Sequence, residues 1–552
     1  MDRNLTLALL LSFVLFIAFV YVQSRFFAPE PPPPPPAQVP TEAKPVASPL
    51  PTGCPPPPAP VPPAGKVERP PVPQRLIAVE GPLFRGTVGS DGGKLHEWVL
   101  RYRGDKPMVA LGALGPRGLV LQRPGGEAGS VAFTAKEERL RLGPDRPQGE
   151  VRLTGQDDFG LQVTEALSFH AQDFQVEVAL RLENRQAVAQ TVEVLLPWIT
   201  QKKWPEAEKE GFLGQRPIRV IRLTGGQVHR EELDKVADLT VEGTWVGLES
   251  DWYIAALIPR VPGFKVATFK RAQETIEIAL KASPPPLGPG QVWEGRALLY
   301  VGPKEYDRLK ALGVGLEAAV DFGGFPMPRA YGGLPMEWFA VPILWLMNFF
   351  HRYIPNYGIA IILLTVITKI LFYPLTLKSM KSMKAMQALG PQVNALRAKH
   401  QKDAQRLQRE TMELYRTHKV NPMGGCLPMV VQVPIFYALY LVFSLSVELQ
   451  NAAFLCFGTL FGTKLWICDL AQQDPTYVLP VLMGLSMFVQ QKMTPTMGDP
   501  RQAKIMLMMP LIFTFMFLNL PSGLVLYWTV SNGLQILQQY YMDRARAAKS
   551  HK

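Results

Sequence analysis

Ile359-Ala-Ile-Ile-Leu-Leu-Thr-Val-Ile-Thr-Lys-Ile-Leu-Phe-Tyr373 decides the fold class of this chain. The stretch is apolar enough to lie in lipid, and with its flanks it predicts a membrane-spanning helix over 357–375. One residue resists that environment. A charge such as Lys369 inside a span costs on the order of 2.5–3.5 kcal/mol on insertion scales. It can snorkel, since the near end of the span lies about six residues away, roughly 9 Å at helical rise. Alternatively it faces a water-filled cavity among helices. Thr365 and Thr368 lie one turn back on the same face and extend the charge into a polar stripe, which favours the cavity.

Further spans are expected at 427–445, 476–491, 505–520 and 521–541, the last two joined only by the Asn519–Ser522 turn. Leu5–Val22 adds an apolar run of 18 residues near the start of the sequence. It exceeds the ~7–15 residues of a signal-peptide core, so an uncleaved anchor over 1–28 is favoured over a cleaved signal. The count is then six. Residues 336–352 are apolar and aromatic but short and interrupted by Pro342, and read as an interfacial amphipathic helix. Within the spans Gln432 adds a polar group. Trp528, Ser531, Gln535 and Gln538 recur at helical spacing, with Tyr527 and Asn532 beside them. Singly such residues act as glue between helices; with Lys369 they outline an amphiphilic interior.

Charge supplies the orientation. The 552 residues carry 58 Lys+Arg against 46 Asp+Glu, a surplus of +12. Lys378–Lys419 holds ten basic and three acidic residues, Lys492–Lys504 nets +2 and Met542–Lys552 nets +3, which accounts for all of it. Each of these segments abuts an apolar run, so the surplus describes neither a soluble enzyme nor a nucleic-acid-binding domain. Loop 446–475 carries Lys464 as its one Lys or Arg. The positive-inside rule then places both termini, segment 376–426, loop 492–504 and tail 542–552 in the cytoplasm. Loop 446–475 and everything between the first two spans fall outside.

That outer portion has two parts. Residues 29–75 hold 21 of the 53 prolines and read as an extended, semi-rigid spacer, with a polyproline ligand as the lesser use. Residues 76–325 change to period two, as in Phe174–Leu182, Gln190–Leu196 and Thr275–Leu280. Such alternation buries one face of each strand, and its length predicts a large antiparallel β-sandwich. An extracytoplasmic β domain behind an anchor suggests the inner membrane of a diderm bacterium. Paired carboxylates, Cys/His spacing and phosphate loops are not recognisable, so no enzyme, cofactor or metal is expected. Of the cysteines, Cys54 falls in the linker and Cys426 at a span boundary, while Cys456 and Cys468 share the outer loop; their spacing permits a disulfide without requiring one.

Segment 376–426 reads as two helices broken at Gly390-Pro391. Met380, Met383 and Met386 share one face and Lys378, Lys381 and Lys384 another. The methionines suit varied apolar partners or simply pack the hairpin; the lysines suit anionic lipid headgroups.

Four motifs, Lys369-Ile-Leu-Phe-Tyr-Pro-Leu-Thr376, Lys419-Val-Asn-Pro-Met-Gly-Gly-Cys-Leu-Pro428, Gln432-Val-Pro-Ile-Phe436 and Pro521-Ser-Gly-Leu-Val-Leu-Tyr-Trp-Thr-Val-Ser-Asn532, closely resemble the YidC membrane protein insertases in order and spacing across about 331–545. Asp251-Trp-Tyr-Ile-Ala-Ala-Leu-Ile-Pro259 and Tyr300-Val-Gly-Pro303 resemble the Gram-negative form. The resemblance implies a periplasmic supersandwich and a five-helix core around a hydrophilic groove open to cytoplasm and lipid. It also implies nascent integral membrane proteins as clients, and the Sec translocon with its accessory subunits, membrane lipids and, weakly or indirectly, the ribosome as partners. Lys369 takes the groove position usually held by Arg. Thr365, Thr368, Gln432, Tyr527, Trp528, Ser531, Asn532 and Gln535 become groove or client contacts, and the 376–426 hairpin becomes the receiving element. Two other functions compete: a secondary transporter with Lys369 as substrate or proton site, and an anchored carbohydrate-binding protein. The first wants an inverted repeat that the sequence lacks; the second leaves the polar stripe idle.

Overall fold

The computed structural model describes residues 74–550, apart from 103–104, 108–114, 117, 125–127, 202–218, 251, 272–274, 326–332, 401–402, 422–426, 461–462 and 494–499. The expected anchor, the linker up to residue 73, Cys54 and Cys426 lie outside the described residues. The chain divides into two compact units. One contains 377–426 and 494–508; the other holds the β domain and the remaining helices.

In the β domain, alternation becomes antiparallel sheet. Leu161–His170 buries every second side chain from Leu161 to Phe169, and pairs with Gln148–Gln156 on one edge and Gln175–Asn184 on the other. Pairing continues through Val292–Pro303, Tyr253–Pro259, Trp245–Glu249 and Arg219–Thr224. Among the described residues a nine-stranded, a seven-stranded and a five-stranded sheet share one hydrophobic core, as one-sided apolar strands require. Phe84 stacks on Trp98 at 4.6 Å, and Trp198, Trp245 and Tyr300 are fully buried. The run expected at Gln190–Leu196 forms instead over Glu193–Gln201. Alternation fades there because Val194 to Thr200 are all buried, so both faces are covered.

A buried ion cluster and a lone buried carboxyl lie inside this domain. Glu249 is fully buried and accepts from Lys304 Nζ at 3.0 Å, with Arg219 at 3.0 Å and Arg230 at 3.2 Å. Burial lowers the Lys304 pKa against the opposing pull of Glu249. Glu165 has no such company. It is 2% exposed, its Oε2 has no hydrogen-bond partner among the described residues, and burial lifts its pKa to about 8.

The β domain is fastened to the helices by two consecutive aromatics. Trp252 Nε1 donates to the Ser444 carbonyl at 3.2 Å, and the Tyr253 hydroxyl donates to Gln450 Oε1 at 2.7 Å.

After a short helix α1, Tyr306–Ala311, the helical part begins with α2, Glu337–Tyr353. Ala340, Ile343, Leu344 and Met347 form its buried face, while Trp338, Trp345 and Tyr353 are exposed. Then come α3 (Tyr357–Ala388), α4 (Gly390–Lys399), α5 (Ala404–Thr417), α6 (Leu427–Leu445), α7 (Val478–Met493), α8 (Pro500–Phe517) and α9 (Ser522–Ser550). By length and hydropathy α3 is long and apolar enough to cross a membrane; the apolar stretches Val431–Leu445 and Leu507–Phe517 are shorter. Prolines interrupt four helices, at Pro342, Pro374, Pro434 and Pro510.

Three boundaries differ from the sequence reading. Helix α3 runs on past residue 375 to Ala388, because nothing between them breaks a helix except Pro374, which α3 absorbs. Gly390-Pro391 starts α4, where a first-turn proline forfeits no helical donor; α4 ends at Lys399, and the Asp403 side chain caps a separate α5 through Arg406 N at 2.9 Å. The expected segment is therefore three helical pieces, not two. Loop 446–475 holds a β-hairpin, Leu455–Leu460 with Thr463–Ile467, closed by a Cys456–Cys468 disulfide.

The buried carboxyl of Glu165 makes stability depend on pH. Its folded pKa lies above the unfolded value, so this group's contribution to stability is full below about pH 4.5 and is lost as pH rises towards 8, levelling off above that. Glu165→Gln should leave the melting temperature of the purified full-length protein nearly unchanged at pH 5 and raise it at pH 8. An equal shift at both values would show that the carboxyl is not the cause.

Candidate functional site

The polar residues on the helices are brought together between α3 and α9. Lys369 Nζ donates to Gln535 Oε1 at 3.0 Å, 166 positions away in sequence. Both helices present a face at i, i+3, i+4, i+7 spacing: Val366, Lys369, Ile370 and Tyr373 on α3; Leu534, Leu537, Gln538 and Tyr541 on α9. Together with Met542 they line an open pocket of about 600 Å³. The pocket is mostly apolar, with an ammonium, an amide and two phenols at its wall. It can therefore hold an extended amphiphilic segment and offer it a single positive charge.

The other sequence candidates do different work. Thr365 is fully buried and its Oγ1 donates to the Ile361 carbonyl at 2.6 Å; Thr368 donates to the Thr365 carbonyl at 2.9 Å. Both hydroxyls donate to their own helix, and that of Thr368 also meets the Tyr527 hydroxyl of α9. Gln432 Nε2 donates to the Tyr527 hydroxyl at 3.3 Å, linking α6 to α9. Trp528 is held in an aromatic cluster, 4.6 Å from Phe436 and 5.1 Å from Phe517. Asn532 Nδ2 donates to Ser486 Oγ on α7 at 3.1 Å, and Ser531 is half-buried beside it. The Gln432 and Asn532 bonds are interhelical glue of the kind polar groups supply where lipid offers no alternative. Of the set, Lys369 lines the pocket and Gln535 stands behind it as the acceptor for its ammonium.

Tyr373, Tyr541 and Met542 escape a reading based on polarity. A signal is available all the same: each continues the helical spacing set by Lys369 or Gln538.

In the other unit, Met386 is buried, Met380 and Met383 are half-buried, Lys378 and Lys381 are exposed and Lys384 is half-buried. Ser382 Oγ donates to the Asn421 carbonyl at 2.7 Å, and the His400 ring meets Glu410 at 3.0 Å, tying α4 to α5.

Comparison with known proteins agrees with a β domain followed by a helical membrane part. The family described as 60Kd inner membrane protein matches residues 349–549, and the YidC periplasmic domain matches residues 76–346. The chain is 40% identical to the membrane protein insertase YidC of Syntrophus aciditrophicus over 388 residues, 70% of this chain and 67% of that one. It is 38% identical to that of Geobacter sulfurreducens, covering 77% and 76% of the two chains. To that of Geotalea daltonii it is 35% identical over 99% of this chain and 100% of the other.

Close approach of α7 and α8 depends on a missing side chain. A Cβ at Gly484 would collide with Thr514 Oγ1, which is itself bonded to the Pro510 carbonyl at 2.7 Å. Gly484→Leu should force these helices apart at a cost of about 1–3 kcal/mol. The expected result is a lower melting temperature and a reduced monodisperse yield in detergent. Wild-type values would show that the two helices do not pack as described.

Proposed function

Because the chain belongs to the YidC family of membrane protein insertases, we propose that the α3–α9 pocket is its client groove and that Lys369 supplies the groove's charge. Inner-membrane location and a periplasmic β domain come with the family. The proposal adds a mechanism. The observation that carries it is the Lys369 ammonium, set in an apolar helix yet lining an open pocket with Gln535 as its partner.

In this reading six spans, at 1–28, 357–375, 427–445, 476–491, 505–520 and 521–541, put both termini and the basic loops in the cytoplasm. The last five form the insertase core. Hairpin 376–426 receives a nascent client, its methionines adapting to apolar segments and its lysines to headgroups. The polar stretch that must cross enters the groove, where water and Lys369 reduce the cost of carrying it part-way through hydrocarbon. The client's apolar helix then moves sideways into lipid, and burial of its surface drives the step. The protein works alone or beside the Sec translocon, with lipid and ribosome as further partners. Thr365, Thr368, Gln432, Tyr527, Trp528, Ser531 and Asn532 hold the groove's shape, and Gln535 orients the ammonium.

Lysine in place of arginine keeps the charge and gives up the planar fork of donors. A client's carboxylate is thus met as by a point charge. Lys369→Arg should retain insertion in a depletion strain, whereas Lys369→Glu should slow clients with acidic translocated segments roughly tenfold or more, the equivalent of about 1.4 kcal/mol. A photocrosslinker at position 373 should capture a short client during its synthesis. Normal insertion after depletion, with no crosslink, would refute the groove; full activity of Lys369→Ala on every client would make Lys369 a snorkelling residue.

A further inference from the structure

The hairpin in loop 446–475 has a composition unlike an ordinary solvent-exposed ribbon. Its sequence, Leu455-Cys-Phe-Gly-Thr-Leu-Phe-Gly-Thr-Lys-Leu-Trp466, carries Lys464 as its one charge. Phe457 is 68% exposed and Leu455 38% exposed, and Phe457 stacks on Trp466 with ring centres 5.9 Å apart. The register shifts between Cys456 and Thr459, at a bulge where Gly458 adopts φ 98°. Only glycine takes that conformation without strain.

The base of the hairpin is tied to helix ends. Asn356 Nδ2, just before α3, donates to the Phe454 carbonyl at 3.2 Å, and the Phe454 ring covers Gly358. At the start of α9, Gly523 N donates to the Leu470 carbonyl at 2.9 Å and Ser522 Oγ to the Asp469 carbonyl at 2.8 Å. The hairpin therefore leaves the protein at the level where α3 and α9 begin. Gln450, five residues before it, holds Tyr253 of the periplasmic domain, which fixes the side of the membrane.

Exposed apolar side chains recur on α7, where Val478, Val481 and Leu485 face outward. A free two-stranded ribbon is marginal in water, and an apolar one invites aggregation. Nor can a two-stranded ribbon sink into hydrocarbon, because its outer edges present backbone groups that no further strand pairs among the described residues. Exposed aromatic side chains suit the boundary between headgroups and acyl chains.

We propose that this hairpin lies on the periplasmic surface of the bilayer and buries Phe457 among the phospholipids, as a lateral anchor for the ends of α3 and α9. The Cys456–Cys468 disulfide braces the ribbon where it leaves the protein. The inference uses the inner-membrane location of the family and is independent of the groove.

The test is photocrosslinking in full-length protein reconstituted into phosphatidylethanolamine–phosphatidylglycerol vesicles. A benzoyl-phenylalanine at Phe457 is an aryl-for-aryl change at an exposed position. It should give phospholipid adducts within a few-fold of the same probe at Leu485 and far above a probe at Val292, an exposed residue of the β domain. Adduct yields no higher than at Val292, or adducts to protein in place of lipid, would overturn the anchor. Adding Cys456→Ser with Cys468→Ser should lower the lipid yield at Phe457 several-fold; an unchanged yield would refute the bracing role.

Discussion

A charged side chain in the middle of an apolar helix imposes a constraint on every helix around it. Lys369 must keep its ammonium among polar groups or water, and the threonines one turn back on α3 already donate to their own backbone. The partner is supplied by α9, through Gln535. That pairing requires α9 to pass close to α3 without closing against it, and the open pocket is the space left over. Gln432 with Tyr527, and Asn532 with Ser486, then hold α6 and α7 to the same helix. The polar interior is thus a set of cross-links centred on α9, with one cation left facing the opening.

Much of this is legible from residues alone, for a physical reason. Alternation with period two survives in Leu161–His170 because one face of that strand meets the core and the other does not. It fades in Glu193–Gln201, where a second layer covers both faces, and there the expected strand slips. Lys369 announces itself because charge in an apolar run is costly. Trp528 does not announce its part, since helical spacing cannot distinguish a side chain packed among Phe436, Phe513 and Phe517 from one lining a pocket.

The outer loop is the least readable segment. Its strands are short and the first is broken by the bulge at Gly458, so no sustained alternation marks them. The cysteine spacing allows a bond, but only pairing of the two strands brings Cys456 and Cys468 to a Cα separation of 4.6 Å. A partner strand, absent from any local window, decides the outcome. The same holds for Trp252 and Tyr253, whose hydrogen bonds to Ser444 and Gln450 reach 192 and 197 positions along the chain.

Pro374 carries a consequence of its own. It sits inside α3 and has no amide hydrogen, so the helix provides no donor to the carbonyl of Ile370. Ile370 lines the same pocket as Lys369. A carbonyl without its usual helical donor thus stands next in sequence to the residue that carries the ammonium, two polar features of opposite character on one turn of an otherwise apolar helix.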